Sequence, residues 1–105
     1  MRNEAISDIF AGLGHVEIRR MFGGSGIFHN SLIVGLEVDG EVLLKADKES
    51  APDFAAAGSV QWIYEGKRKP IAMPYWSIPD EAIDDTDVLA RWTTLAYEAA
   101  RRCAK

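Results

Sequence analysis

The sequence predicts a two-layer α+β fold, in which an antiparallel sheet of five or six strands carries helices mainly on one face. Apolar residues recur at helical spacing near both ends of the chain and alternate with polar residues between them. The predicted order is helix, three or four strands, helix, two strands, helix, which suits one layer of sheet and one of helices. A chain of 105 residues is the size of a single domain, so we expect one domain over residues 1–105.

The N-terminal segment predicts a helix from about Arg2 to Ala11. Its apolar residues recur at i, i+3, i+4 and i+7, a spacing that places them on one helical face. They are Ile6, Ile9, Phe10 and Leu13. The glycines at positions 12 and 14 favour the end of this helix.

The next segment changes to the period of a strand. From Val16 apolar and charged residues alternate, as a half-buried strand requires. The stretch MFGGSG, residues 21–26, comes next, and a returning strand is predicted over residues 26–29. Because glycine adopts positive φ at no steric cost, these glycines predict a hairpin turn. The stretch has no lysine and no helix after it, so we interpret it as a turn and not as a phosphate-binding loop.

A second hairpin is predicted at Asp39-Gly40, between LIVGLEV and EVLLKA. A two-residue turn would pair Leu36 with Leu43 and leave each face a mixture of apolar and charged groups. A three-residue loop over residues 38–40 instead pairs Leu36 with Val42 and gives one wholly apolar face. Its other pairs are Val34 with Leu44 and Leu32 with Ala46. Since burial of these aliphatic side chains is strongly favourable, we predict the three-residue, bulged turn.

The second half of the chain predicts a short helix, two strands and a long helix. The short helix spans about Ala51 to Ala57, with a proline in its first turn and a glycine after it. The strands are predicted in VQWIYE and PIAMPYWSIP, and Pro74 cannot donate a ladder hydrogen bond, which predicts a sheet edge or a bulge there. The last helix begins at Asp85 or Thr86 and runs through Arg102, with basic side chains at its end.

The reactive side chains of the sequence do not form a catalytic motif. His15 and His29 have no second ligand at helical spacing, and Cys103 is the only cysteine, so we expect no metal and no other cofactor. No serine lies in a nucleophile-elbow sequence. The acidic residues before the last helix are interpreted as a helix start, because the ligand order of a calcium loop is missing.

Aromatic and basic residues suggest a nucleic-acid interface as an alternative function. Aromatic rings that stack on bases, beside positive groups that contact phosphates, are typical of modules that bind single-stranded nucleic acid. The residues are Trp62, Tyr64, Tyr75 and Trp76, with Arg19, Arg20, Lys67, Arg68 and Lys69. The net charge of -4 opposes attraction to a polyanion. Alternating aromatic residues on strands fill a core more often than they bind bases, so we favour core packing.

Three stretches agree, in order, with one known family. They are residues 19–24 (RRMFGG), the Asp39-Gly40 hairpin that ends in LKAD at residues 44–47, and residues 73–76 (MPYW). With the regions around them, nearly the whole chain resembles the N-terminal domain of the TfoX/Sxy family of bacterial competence regulators. The resemblance implies a small α+β domain with an antiparallel sheet, a regulatory and non-enzymatic role, and no cofactor. Full-length members continue into a second, helical domain, whereas this sequence stops at Lys105, so we expect a stand-alone domain.

The leading hypothesis is therefore a non-enzymatic regulatory or adaptor domain that binds a protein, with a homodimer as one form of that contact. The predicted contact residues are Pro74, Tyr75 and Trp76, at a sheet edge or in an apolar patch. The alternative is the nucleic-acid module, and an enzyme with a pocket of convergent polar groups is the third hypothesis. The sequence has no signal peptide and no apolar stretch that could span a membrane. We expect a cytoplasmic protein without a membrane partner.

Overall fold

Six strands and three helices make up the fold, in a computed structural model that describes residues 2–21 and 23–104. In chain order they are α1 (Asn3–Ile9), β1 (Glu17–Met21), β2 (Gly24–His29), β3 (Leu32–Val38), β4 (Glu41–Lys45), α2 (Ala51–Ala56), β5 (Gln61–Glu65), β6 (Pro70–Ser77), a 3-10 turn (Asp80–Ala82) and α3 (Thr86–Cys103). The strands form one sheet in the order β1-β2-β3-β4-β6-β5, and every neighbouring pair is antiparallel. The predicted α+β fold is confirmed.

All three helices pack on the same face of the sheet, which we call the helical face. The main core lies between the two layers and includes fully buried side chains from each layer. Its members on the helical side include Ile6 from α1, Phe10 directly after α1, Phe54 from α2, and Trp92 and Ala96 from α3; its strand members include Ile27, Val34, Val42 and Leu44. Two buried aromatic side chains join helices α2 and α3, because the rings of Phe54 and Trp92 lie 4.8 Å apart. The helical spacing seen in the sequence therefore marks the face that each helix buries.

The glycines of MFGGSG turn the chain and let strands approach closely. Met21 on β1 pairs with Gly24 on β2, and Gly23 between the two strands has a φ of 77°; Phe22 lies outside the described residues. A β-carbon at Gly24 would run into the carbonyl oxygen of Glu37 on β3. One at Gly26 would collide with the sulfur of Met21. Within the described part of this stretch, the predicted turn is confirmed.

The register of the β3–β4 hairpin differs from the predicted one. Leu36 pairs with Leu43 and not with Val42. The turn has two residues, Asp39 with a φ of 52° and Gly40 with a φ of 82°. Positive φ at both residues is the conformation of the type I′ turn, which two-residue hairpins favour. The predicted three-residue turn is wrong, and so is the predicted pair of Val34 with Leu44.

A bulge inside β3 explains the error. Ile27 pairs with Gly35, and its neighbour Phe28 pairs with Ile33, so Val34 is an extra residue with no partner on β2. An extra residue reverses the alternation of a strand beyond it. Val34 therefore belongs to the core under the helices, whereas Leu36 lies on the opposite face. The prediction from the sequence assumed that apolar and polar residues alternate without interruption from Val34 to Leu36.

A second irregularity surrounds Pro74. Gln61 pairs with Trp76, but Ile63 pairs with Ala72, so three residues of β6 lie opposite the single residue Trp62 of β5. The side-chain amide of Gln61 donates a hydrogen bond of 3.0 Å to the carbonyl oxygen of Met73 inside this bulge. Because β6 lies between β4 and β5, Pro74 is not on an edge strand. Of the two predicted positions for Pro74, the bulge is confirmed and the edge is wrong.

An ion pair fixes the last helix to the loop that follows β4. Asp47 accepts hydrogen bonds of 2.6 and 2.9 Å from the guanidinium of Arg102, near the end of α3. The same carboxylate accepts from the backbone N–H groups of Glu49 and Ser50, at the turn that leads into α2. The hydrogen bonds from Arg102, followed by those from Ser50, hold the pKa of the Asp47 carboxyl well below its ordinary value despite its partial burial. One carboxylate thus joins β4, α2 and α3.

We expect Gly24→Ala to destabilise the domain by about 1–3 kcal/mol, because the added methyl group meets a backbone oxygen of Glu37 that cannot rotate away. Ser25→Ala, at the next position of the same strand, is the matched control and should change the free energy of unfolding by less than about 0.5 kcal/mol. Urea unfolding of both variants measures the difference. Equal stabilities would contradict the close approach of β2 and β3.

We expect Asp47→Asn to lower the free energy of unfolding by about 1.5–3 kcal/mol at pH 7, since hydrogen bonds to a charged group are lost. Glu49→Gln is the control. Glu49 also forms an ion pair with Arg102, at 2.8 Å, but the side chain of Glu49 is 72% exposed and an exposed ion pair contributes little. Urea unfolding of both variants measures these changes.

The same pair predicts a pH dependence. The folded-state pKa of Asp47 lies below the unfolded-state value of about 3.9, so protonation favours the unfolded chain. The stabilisation is present above about pH 4 and is lost as the pH falls towards the folded-state pKa. Between pH 7 and pH 3, the free energy of unfolding should therefore fall more in the wild type than in Asp47→Asn. An equal fall in both proteins would contradict this role of Asp47.

Candidate functional site

The face of the sheet opposite the helices carries a second apolar cluster. Its buried members are Leu36, Leu43 and Tyr75, each less than 10% exposed, and half-buried side chains of Ile33, Val38, Trp62 and Met73 pack against them. All seven residues belong to strands. Among the described residues, no helix contributes a side chain to this cluster. We call this side of the sheet the open face.

A cleft of about 780 Å³ lies on the open face. Its walls come from three parts of the sheet: the β1–β2 hairpin, strand β3 with its turn, and the β5–β6 hairpin. The lining residues are Met21, Gly23, Ser25, Ile33, Leu36, Glu37, Val38, Asp39, Trp62, Ile63, Tyr64, Glu65, Met73 and Tyr75. A volume of this size lies in the range of ligand-binding clefts, which are lined mainly by apolar and aromatic side chains.

The bulge in β6 explains why the β5–β6 hairpin contributes a wall. Strand β4 pairs with β6 only at residues 75–77, so residues 70–72 of β6 pair with β5 alone. Bulges bend the strand that contains them, and here the hairpin places Trp62 and Met73 against the open-face cluster. The ring of Tyr64 lies 6.0 Å from that of Trp62, edge to face, and is 50% exposed. The hairpin is thus an aromatic wall of the cleft.

The charged residues that line the cleft are all acidic. They are Glu37, Asp39 and Glu65. Glu37 accepts a hydrogen bond of 2.7 Å from the backbone N–H of Gly40, which holds its carboxylate at the β3–β4 turn. The cleft therefore has an apolar floor and a negatively charged margin, an arrangement that favours a ligand with apolar and cationic groups.

Tyr75 brings a phenol hydroxyl to the floor of the cleft. Burial raises the pKa of its phenol above the ordinary value of 10.0, so the hydroxyl stays neutral at physiological pH. The ammonium group of Lys45 lies 5.0 Å from the centre of its ring, a distance typical of a cation–π contact. Burial and the contact with Lys45 hold the ring of Tyr75 in place on the floor of the cleft.

The structure separates the three predicted partner-contact residues. Pro74 is exposed in the bulge of β6, and Tyr75 is 7% exposed on the floor of the cleft. Trp76 is half-buried on the helical face, where its ring stacks on Phe54 at 6.3 Å. Of the three residues, Tyr75 alone lines the cleft.

The structure places the predicted basic residues on two different parts of the sheet. Arg19 lies over the ring of Phe28 at 4.7 Å and pairs with Glu17 at 3.1 Å, whereas Arg20, as the next residue of a strand, points to the other face. Both are on β1, at one edge of the sheet. Lys67, Arg68 and Lys69 are exposed between β5 and β6, at the other edge of the strand order. The two basic groups therefore do not form one continuous stripe along a strand.

The two histidines contact each other and the last helix. His29 lies with its Nδ1 atom 2.8 Å from the carbonyl oxygen of His15, and its ring packs edge to face on Tyr97 at 4.9 Å. Asn30 donates a hydrogen bond of 3.0 Å to the hydroxyl of Tyr97. These contacts join the β2–β3 turn to α3. In residues 2–21 and 23–104, no three His, Cys, Asp or Glu side chains are grouped so that they could hold a metal ion.

Sequence reasoning missed most of the cleft, including Leu36, Val38 and Met73. The signal that could have found it is Gly35, because a glycine inside a strand often marks a bulge. A β-carbon there would lie 2.5 Å from the carbonyl oxygen of Leu43 and 3.1 Å from the ring of Phe10. The glycine lets α1 pack directly on the sheet next to the bulge.

The fold and the site define a small α+β domain with an apolar, acid-rimmed cleft on a sheet face that the helices leave open. The TfoX N-terminal domain family matches residues 8–100 of the chain. The chain therefore belongs to the TfoX N-terminal domain family, a family of regulatory domains, as its sequence motifs predicted. Comparison with the curated proteins gave no match. None of the described helices is both long and apolar enough to cross a lipid bilayer.

Proposed function

We propose that this protein is a non-enzymatic regulatory or adaptor domain that acts by binding another protein in the open-face cleft. The observation that carries the proposal is the second apolar cluster, which no described helix covers and whose buried members Leu36 and Tyr75 line the cleft. Apolar surface is costly to leave in water, and a contiguous patch with a polar margin is typical of a contact site for a protein.

The chemistry of the cleft supports binding rather than catalysis. The acidic margin consists of Glu37, Asp39 and Glu65. The other polar side-chain groups that line the cleft are the hydroxyls of Ser25, Tyr64 and Tyr75 and the indole N–H of Trp62. A catalytic site needs a nucleophile or an acid–base group held within hydrogen-bond reach of a partner group. Among the described residues that line the cleft, no hydrogen bond joins such a pair. Membership of a family of regulatory domains supports the same role.

The nucleic-acid alternative has less support. Its five basic residues lie at opposite ends of the strand order, and Arg19 is already engaged with Phe28 and Glu17. The charges that line the cleft are negative, which repels a polyanion. We propose a cytoplasmic location, which the unpaired state of the only cysteine, Cys103, supports.

Affinity capture from a native cytosolic extract tests the proposed function. The wild-type domain should retain a protein that Val38→Lys loses by about tenfold or more, because an unpaired ammonium group in an apolar contact costs more than about 1.4 kcal/mol. Val38 lies on β3 at the cleft and is half-buried. The captured protein is identified by mass spectrometry and its affinity is then measured with purified components.

Ile83→Lys is the matched control. Ile83 is 64% exposed and does not line the cleft, so this variant introduces the same charge elsewhere and should retain the partner. Circular dichroism must first show that both variants are folded. Equal recovery of the same proteins by the wild type, Val38→Lys and Ile83→Lys would contradict a contact in the cleft.

A further inference from the structure

The large apolar side chains that the described chain leaves exposed are concentrated on one hairpin. Val60, Ile63, Tyr64 and Ile71 are 69, 44, 50 and 46% exposed, and all four lie on β5, on β6 or next to them. The fifth is Ile83, which lies apart from this hairpin. Single exposed apolar residues are normal on a protein surface, but a group on one short hairpin marks an interaction surface.

The two edges of the sheet differ in how they resist pairing with another strand. Edge strand β1 presents the exposed charges of Glu17, Arg19 and Arg20, a common protection of natural sheet edges. Edge strand β5 has the sequence QWIYE, with three apolar or aromatic residues in its middle and one charge at its end. β5 is therefore the edge of this sheet that is open to another strand.

We propose that β5 pairs antiparallel with β5 of a second copy of this chain, centred on Ile63, so that the two sheets join into one of twelve strands. In this register Ile63 lies opposite its own copy, and Trp62 lies opposite Tyr64 of the other chain. Both Trp62 and Tyr64 are on the open face. Two copies of each ring then form a cross-strand row of four, and aromatic cross-strand pairs are among the more stabilising pairs in sheets.

The charges of β5 and its flanks select a second copy as the occupant. In the proposed register Glu65 lies opposite Gln61, whose neutral side chain does not repel it. Gly66, which has no side chain, lies opposite Val60, the most exposed of the large apolar residues. Lys67 lies opposite a serine, so residues 59–67 place no like charges across from each other. The strand is complementary to itself, as an isologous contact requires.

The neighbouring symmetric register is less favourable. A pairing centred on Tyr64 would put the carboxylate of Glu65 opposite Ile63 and would leave Trp62 opposite Gly66, with no side chain to pack against. The first contact places a charge beside an apolar residue, and the second removes a cross-strand pair. The register centred on Ile63 therefore gives more side chains a favourable cross-strand partner than the register centred on Tyr64.

A contact through one short strand is small, so the dimer belongs to the weak class of interfaces and forms at high concentration. Sedimentation equilibrium of the purified chain should show a monomer that becomes a dimer in a series ending at about 1 mM, where even a contact of millimolar affinity is populated. Ile63→Lys should abolish the dimer, because the proposed register would place two lysine side chains directly opposite each other. Ile83→Lys should dimerise like the wild type.

Disulfide cross-linking tests the register. In a Cys103→Ser background, Ile63→Cys places two cysteines directly opposite, with α-carbons about 4.5–5.5 Å apart, within the range that a disulfide spans. Under oxidised glutathione it should form a covalent dimer. Tyr64→Cys is the control, because its two copies are diagonal neighbours about 7–8 Å apart, so it should cross-link at least tenfold more slowly.

A monomer throughout the concentration series, or a dimer that Ile63→Lys leaves intact, would overturn the proposal. Faster cross-linking of Tyr64→Cys than of Ile63→Cys would overturn the register. Because these measurements use the purified chain alone, their outcome is independent of the capture experiment with Val38→Lys. Circular dichroism and urea unfolding must show that each variant is folded.

Discussion

The single extra residue in β3 determines what each face of the sheet carries. Without the bulge at Val34, one alternation would run through the whole strand and Leu36 would join the core under the helices. With the bulge, Val34 remains under the helices and Leu36 lies on the opposite face. Gly35 makes this possible, because the ring of Phe10 packs where a β-carbon would be. The open face and its cleft depend on this reversal of the side-chain alternation in β3.

A sheet with two apolar faces and helices on only one of them needs a second cover. Helices α1, α2 and α3 close the helical face, and the ion pair between Asp47 and Arg102 fixes α3 to the loop after β4. On the open face the cover is the β5–β6 hairpin, which the bulge at Pro74 directs towards the apolar cluster. This cover is incomplete, since a cleft of about 780 Å³ remains beside it. The function proposed for the domain follows from that incomplete cover.

The fold could be predicted from the sequence because its signals are local. Helical spacing at residues 6–13, glycines at the first hairpin and acidic caps before α3 each indicate an element without knowledge of its neighbours. The cleft could not be predicted from the sequence, because it depends on the register between strands. A bulge moves a side chain to the other face without changing composition, so Leu36 was assigned to the same face as Val34. Tyr75 was predicted as a partner contact, but its position on the floor of a cleft was not predicted. The family motifs predicted the family correctly but carried no information about the cleft.

Proton–proton nuclear Overhauser contacts across β3 and β4 test the central claim most directly, because they report which residues face each other in solution. In the isotope-labelled chain, the backbone protons of Leu36 should show cross-strand contacts with those of Leu43, and the protons of Gly35 with those of Leu44. Contacts of Leu36 with Val42 would instead show one uninterrupted alternation, with Leu36 under the helices, and the open-face cleft would not exist.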